Sequence, residues 1–380
     1  MTEAAAATSP WFFDGDVLMR LIATAMVTLS RQRTVPNPVY PAKVQSAYNH
    51  LVLHCLKRNE TPPGSVAEMV SWAAELPLTR WPVSLPEELL GGDGLLVDKD
   101  TRTPTQTCLE WAVNAADPAA ELFENDRILD AIAACRSAHA PGAYTAFRRH
   151  LTTQPVLTGA ELAELGGDPE FGLLLHPILK RCYEQAPASY QRDGAYMQCE
   201  RCHCLMVPMS RGGFRCELDR CRREGKTSKG TPTSGSKGGL FQLSRPLRMF
   251  ITSPGIAETD LEQELITKHK IRPAMWPNYD AYDLRVVLPN GEAWAVDVKD
   301  RVNPVLLART AKPFSNKPPF DKAFLVVPRY RFEENEAYGR IFARHLSDTM
   351  SDHLTLLDDQ AFLKLVSATV KKSGGRNARP

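Results

Sequence analysis

Apolar side chains recur every three or four residues through most of the first half of the chain. Leu18, Leu21, Ile22, Ala25 and Leu29 share one helical face, and Val44, Ala47, Leu51, Val52 and Cys55 share another. The same periodicity predicts helices near 65–76, 105–115, 118–133, 144–151 and 169–183. Clusters such as Thr61-Pro62-Pro63-Gly64 and Gly91-Gly92-Asp93-Gly94 separate them. No fixed-period repeat is evident, so nothing supports a solenoid. Beyond residue 245 the pattern changes, and helix and strand signals alternate to about residue 370.

Between these halves lie two unusual stretches. Five of the nine cysteines crowd into positions 199–221. All fifteen residues from Gly225 to Gly239 are Gly, Ser, Thr, Lys or Pro, a composition that buries no apolar surface and predicts a mobile linker. The expected fold is therefore α+β and multidomain. A helical domain spans 1–190, a cysteine-rich module 195–224 and a flexible basic linker 225–244, followed by an α/β domain at 245–370 and a basic tail at 371–380.

Composition narrows the class. Of the 380 residues, 43% are hydrophobic and 24% charged, which is ordinary globular usage. Lys+Arg numbers 46 against 44 Asp+Glu, so the whole-chain balance says little about partners. The local balance says more: residues 199–250 carry eleven Lys/Arg and four acids, an excess that suits a phosphate backbone. Arg220, Arg222 and Arg223 beside Cys221 are the candidate nucleic-acid contacts. An odd cysteine count with one dense cluster fits a reduced, cytoplasmic protein better than a secreted disulfide framework. The apolar run Leu21–Leu29 is too short to span a bilayer, so no membrane role is expected. The first ten residues hold Glu3 and no basic residue, which argues against a signal peptide.

The cysteines are spaced Cys199-x2-Cys202, thirteen residues, then Cys216-x4-Cys221. Two tight turns, each presenting two thiolates, can close a tetrahedral structural Zn²⁺ site. Met206-Val207, Gly212-Gly213 and Phe214 between them suit a small hairpin turning at the glycines. The module resembles a zinc ribbon. Cys204 and His203 are spare, with Cys204 a rival to Cys202 as ligand. Four ligands leave no open coordination position, so zinc catalysis is not expected here.

The sharpest chemical signal lies in residues 282–299. Leu284, Val286 and Leu288 share one strand face, and Trp294, Val296 and Val298 share another. If both faces are buried together, even positions must pair with even positions. A two-residue Asn-Gly turn breaks that parity, whereas the three-residue loop Pro289-Asn290-Gly291 preserves it, with Gly291 in the left-handed region. The register then sets Asp283 across from Asp297, with Lys299 two residues on along the same face. Opposed like charges destabilise a sheet pair unless a cation compensates. Two aspartates suit Mg²⁺ or Mn²⁺, and the Val298 carbonyl is a further candidate ligand. Lys299 can orient an attacking water and steady developing charge.

Asp283, a short hairpin, then Asp297-Val298-Lys299 resembles the PD-(D/E)xK motif of restriction-endonuclease-like nucleases. That resemblance covers roughly residues 245–370 and implies metal-dependent hydrolysis of phosphodiesters, with metal on the two acids. It also implies a supporting Glu on the preceding helix, within Gly255–Leu265. Glu258 is preferred and Glu262, one turn on, is the alternative. Tyr282 stands where the strict motif has Pro. Ala323–Val327 reads as the next buried strand. The order of helical region, cysteine ribbon and nuclease, with Asp280–Leu284 and Trp294–Asp300, further resembles the nuclease associated with prokaryotic PIWI-related (pPIWI-RE) proteins. This implies a defence system with a PIWI-like protein and a DinG-like helicase as partners.

The leading expectation is thus a Mg²⁺- or Mn²⁺-dependent DNA endonuclease with a zinc-bearing DNA-binding module. Its alternative is a non-catalytic nucleic-acid adaptor or assembly subunit with a nuclease-like fold. One active site per chain would require a homodimer, or two successive nicks, for double-strand cutting. His50 and His54, at i and i+4, have no third ligand and read as packing or surface residues. Cys55, Cys108, Cys135 and Cys182 read as core thiols, and Tyr279, Tyr282 and Trp294 as core aromatics.

Overall fold

In the computed structural model, residues 15–32, 39–90, 94–113, 119–223, 230–234 and 238–376 are described. The expected residues 225–229 and 235–237 of the linker, and 377–380 of the tail, lie outside them. The chain forms two compact units. One comprises residues 1–122 with 302–310, and the other residues 123–301 with 311–380.

The first unit is helical. Gly15–Arg31 packs on Ala42–Lys57 and on Gln106–Val113, burying Leu18, Ile22, Ala25, Val44, Ala47 and Leu51 along the stripes the periodicity predicted. Ser65 caps Val66–Glu75 by accepting from the Glu68 N–H, and the Glu68 carboxylate accepts from the Gly64 N–H at 2.7 Å. His54 is fully buried with Nε2 2.6 Å from the Pro82 carbonyl, so it packs rather than ligates. The unit also recruits the short helix Pro304–Thr310. Buried Glu110 accepts the N–H groups of Val302 and Asn303 at 2.7 and 3.0 Å, and Asn303 caps the helix through Val305 and Leu306.

The second unit is built on a five-stranded sheet. Its order is Thr355–Asp358, Lys322–Val327, Ala293–Val298, Leu284–Val287, Ala274–Met275. The first three strands run parallel, and the last two join antiparallel. Leu284, Val286, Trp294, Val296, Phe324 and Val326 face one core with Leu261, Leu265, Phe362 and Val366 from the helices Ser253–His269 and Asp359–Arg376. That core also contains Tyr144, Phe147 and Leu151 of Pro141–Thr153 and Leu175 and Leu179 of Gly172–Cys182. These two helices were expected in a separate domain ending at 190. Their periodicity defined an apolar face but not which core it meets.

The expected linker 225–244 also departs from expectation. Gly230–Thr233 pairs with Tyr196–Cys199, and Leu240–Leu243 is the middle strand between Val156–Thr158 and Tyr183–Gln185. Gly230 packs closely there, since a Cβ would stand 2.7 Å from Met206 Sδ and would require that side chain to shift. Leu240 and Leu243 supply the apolar surface that the preceding run lacks, and both are buried.

Candidate active site and metal centre

The hairpin adopts the register required by parity. Val287 pairs with Ala293, Val286 with Trp294 and Leu284 with Val296. Leu288 and Glu292 close a loop over Pro289–Gly291, and Gly291 has φ +86°. Extending the register by one residue brings Asp283 opposite Asp297. Lys299 Nζ lies 2.9 Å from Asp297 Oδ1 and 3.8 Å from Asp283 Oδ2, so the three groups converge on one face. The Asp283 carboxylate also accepts the Val298 N–H at 2.7 Å, which ties it to the neighbouring strand. Its side chain is 7% exposed, against 19% for Asp297 and 35% for Lys299, so the site opens toward solvent on the Asp297–Lys299 side.

Glu258 and Glu262 diverge. Glu262 turns to Arg149, which holds it with paired contacts of 2.8 and 2.9 Å. Glu258 is 1% exposed, accepts from the Trp276 indole N–H, and lies 3.8 Å from Arg148 Nη2. It contributes to the electrostatic environment of both Asp283 and Lys299. Burial pushes the Asp283 carboxyl well above its usual range, and the nearby Asp297 and Glu258 charges push it further. Burial raises Glu258 too, despite the opposing Arg148 charge. Burial disfavours the Lys299 ammonium, but Asp283 and Asp297 outweigh this and hold it protonated. Among the described residues, the carboxylates do not converge as a three-acid cluster, and the two aspartates share the Lys299 ammonium.

Sequence reasoning missed the group that frames Glu258. Arg148 is 4% exposed, lies 3.2 Å from Asp280 and stacks its guanidinium over Trp276 at 5.4 Å. Tyr144 donates to Asp280 at 2.9 Å. The available signal was an arginine at i+4 from Tyr144 inside the apolar stripe Tyr144, Phe147, Leu151.

The four ribbon cysteines do converge. The sulfurs of Cys199, Cys202, Cys216 and Cys221 all lie within 4.8 Å of one another and are buried. A tetrahedral zinc with Zn–S near 2.3 Å needs sulfurs about 3.8 Å apart, so the set fits. Cys204 is buried and His203 exposed, and neither belongs to the set. Val207–Pro208 and Phe214–Arg215 form the expected hairpin, turning through Gly212 and Gly213 at positive φ.

The three ribbon arginines have partners within the protein. Arg220 is 5% exposed and reaches Asp260 at 2.7 Å. Arg222 and Arg223 reach Asp219 at 3.4 and 2.8 Å, and Arg223 also reaches Glu334. Buried Arg331 binds Asp219 at 2.9 Å and Asp300, next to Lys299, at 2.8 Å. Arg220 and Arg223 thus tie the ribbon to distant Asp260 and Glu334, while Arg222 and Arg223 also pair locally with Asp219.

Comparison with known families bears on this arrangement. Residues 255–374 match the family model described as REase associating with pPIWI_RE, which suggests a nuclease-like role for the sheet domain. Residues 18–158 match the model described as pPIWI_RE three-gene island domain Y. Together the matches support a nuclease-like protein of a pPIWI-RE system, in agreement with the resemblance seen in the sequence. No curated protein and no solved structure matches the chain. No helix among the described residues is long and apolar enough to cross a membrane.

Proposed function

We propose that the protein is a Mg²⁺- or Mn²⁺-dependent DNA endonuclease with a restriction-endonuclease-like catalytic domain and a structural Zn²⁺ in its ribbon. It acts in a prokaryotic defence system alongside a PIWI-like protein and a DinG-like helicase. The observation that carries this reading is the meeting of Asp283, Asp297 and Lys299 on one face of a hairpin whose register pairs Val286 with Trp294 and Leu284 with Val296. Unlike the Arg331 cluster, whose guanidinium reaches Asp219 and Asp300 directly, this one has a half-exposed lysine as the nearest cation to both aspartates. Two acids around one ammonium, with Glu258 buried nearby, form an electronegative centre suited to a hard divalent cation.

Asp283 and Asp297 would hold the metal. Val298 directs its N–H to Asp283, and its carbonyl, on the same edge of the strand, is a further candidate ligand. The bound ion would neutralise a phosphodiester oxygen and lower the pKa of a water. Lys299 would orient the attacking water and stabilise the negative charge developing on the phosphoryl oxygens. Glu258 supports Asp283 from the helix behind it. The arginines Arg220, Arg222 and Arg223 serve the fold first, and DNA contact falls to other parts of the basic surface. The cysteine usage fits a cytoplasmic setting.

The test is cleavage of single-stranded, duplex and RNA–DNA hybrid substrates across a Mg²⁺ and Mn²⁺ titration, with and without partner proteins. Cleavage abolished by EDTA and by Asp297→Ala supports the reading. Metal-dependent binding without cleavage would leave the adaptor alternative. Undiminished cutting by Asp283→Ala, Asp297→Ala and Lys299→Ala proteins would remove the site assignment.

A further inference from the structure

The backbone just before Asp283 is strained. Trp276, Asn278, Tyr279 and Asp280 all have positive φ, between 45° and 70°. Non-glycine residues enter this region singly as a rule, and a cluster persists only where its surroundings impose it. The turn feeds directly into the strand that carries Asp283, and the Trp276 N–H donates to the Asp283 carbonyl at 2.7 Å. The helix Pro141–Thr153 supplies the constraint. Arg148 pairs with Asp280 at 3.2 Å, faces Glu258 at 3.8 Å, and lies over Trp276 at 5.4 Å. Tyr144 holds the same Asp280 carboxylate at 2.9 Å. The two helices approach so closely that a Cβ at Gly255 would stand 2.4 Å from Thr152 Oγ1. Glu258 lies one turn beyond this contact.

We infer that Arg148 is a positioning residue of the nuclease site, acting through Glu258 and through the left-handed turn to fix where the Asp283 carboxylate stands. The inference rests on the reading of that site as divalent-metal-binding. Its notable feature is its source. Arg148 lies in the segment that matches domain Y, outside the segment that matches the nuclease family. One matched region therefore completes the site of the other. A planar guanidinium suits the task, since it can lie flat on an indole while reaching two carboxylates, whereas an ammonium supplies charge without that fork.

The full-length Arg148→Lys and Arg148→Met proteins test this by calorimetric Mn²⁺ titration, cleavage rate, and melting temperature in EDTA. Arg148→Lys keeps the charge, so it should melt close to wild type yet bind Mn²⁺ about tenfold more weakly, with a matching rise in half-saturating metal. Arg148→Met should bind more weakly still. Wild-type Mn²⁺ affinity in Arg148→Lys would show that only charge matters and would overturn the inference. Should Arg148→Met fail to fold, Arg148→Lys still decides. In a Glu258→Gln background, Arg148→Lys should cost much less than in wild type, and a fully additive loss would also overturn the inference. Failure of the nuclease reading is distinguishable, because it appears as absent Mn²⁺ binding or Asp297-independent cutting in the wild-type background.

Discussion

Two buried charge clusters lie a few residues apart in this protein, and they are balanced in opposite ways. Around Arg331, Asp219 and Asp300 contact a guanidinium directly, while Glu217 is held by Arg248 and Arg245. Burial pushes Glu217 and Asp219 up, yet their arginines outweigh it and hold both carboxyls below their usual range. Around Lys299, burial pushes Asp283 above its usual range with Asp297 and Glu258 adding to it, and burial raises Glu258 against the opposing Arg148 charge. The first cluster satisfies its own charges and holds the ribbon to the sheet. In the second, burial outweighs the Arg148 and Lys299 charges, so ionising Asp283 and Glu258 is disfavoured, and a bound cation is what the proposed function would add there.

The largest expected effect tests the first cluster from the ribbon side. Removing zinc, by chelation or Cys216→Ser, should lose about one zinc per chain in metal analysis. Because structural zinc sites contribute ~10 kcal/mol or more and the ribbon helix is tied to Arg331, melting of the sheet domain should fall with it. Unchanged melting would mean the ribbon is an independent module. Next, Asp297→Ala or Lys299→Met should reduce cleavage by about 10³-fold while leaving circular dichroism intact.

Arg331→Met should destabilise the protein by about 3 kcal/mol in urea unfolding, because it strands two buried carboxylates. The opposite sign is expected at the site: Asp283→Asn should stabilise the metal-free protein by up to about 1 kcal/mol while removing activity. The smallest effect is in pH dependence. The raised Asp283 and Glu258 contribute stability at acid pH that is lost as pH rises from about 4 through their folded values. The lowered Glu217 and Asp219 contribute stability above about pH 4 that is lost as pH falls through their folded values. Asp283→Asn should therefore flatten the decline toward neutrality, and Glu217→Gln the decline toward acid, when melting temperature is followed against pH.

The part of the site that was legible in the sequence was governed by short-range rules. Strand period two and a three-residue loop fix which side chains meet, so Asp283, Asp297 and Lys299 follow from 17 residues of sequence. Ligand spacing likewise identifies the four cysteines. What was not legible depends on partners distant in sequence. Arg220 looked available to phosphate because Asp260 lies 40 residues away, and Arg223 because Glu334 lies 111 away. The helix Pro141–Thr153 displays an apolar stripe, but nothing local says that it faces the core of the five-stranded sheet, or that the arginine within the stripe contacts a turn beyond residue 275. Composition predicts a linker over 225–244 because it averages out the strand Gly230–Thr233 and the Leu240–Leu243 strand that follows the low-complexity run.

The excursion of Val302–Thr310 has a consequence for biosynthesis. Those nine residues follow the Asp297-Val298-Lys299 strand closely but belong to the N-terminal unit, where Glu110 awaits two of their amides. On the ribosome, the amino-terminal helices emerge long before their last piece does. Their unit can be finished only after the strand bearing the candidate metal ligands has been synthesised, so no single cut in the polypeptide frees one half complete, and assembly of the helical part is timed by translation of the sheet-bearing one.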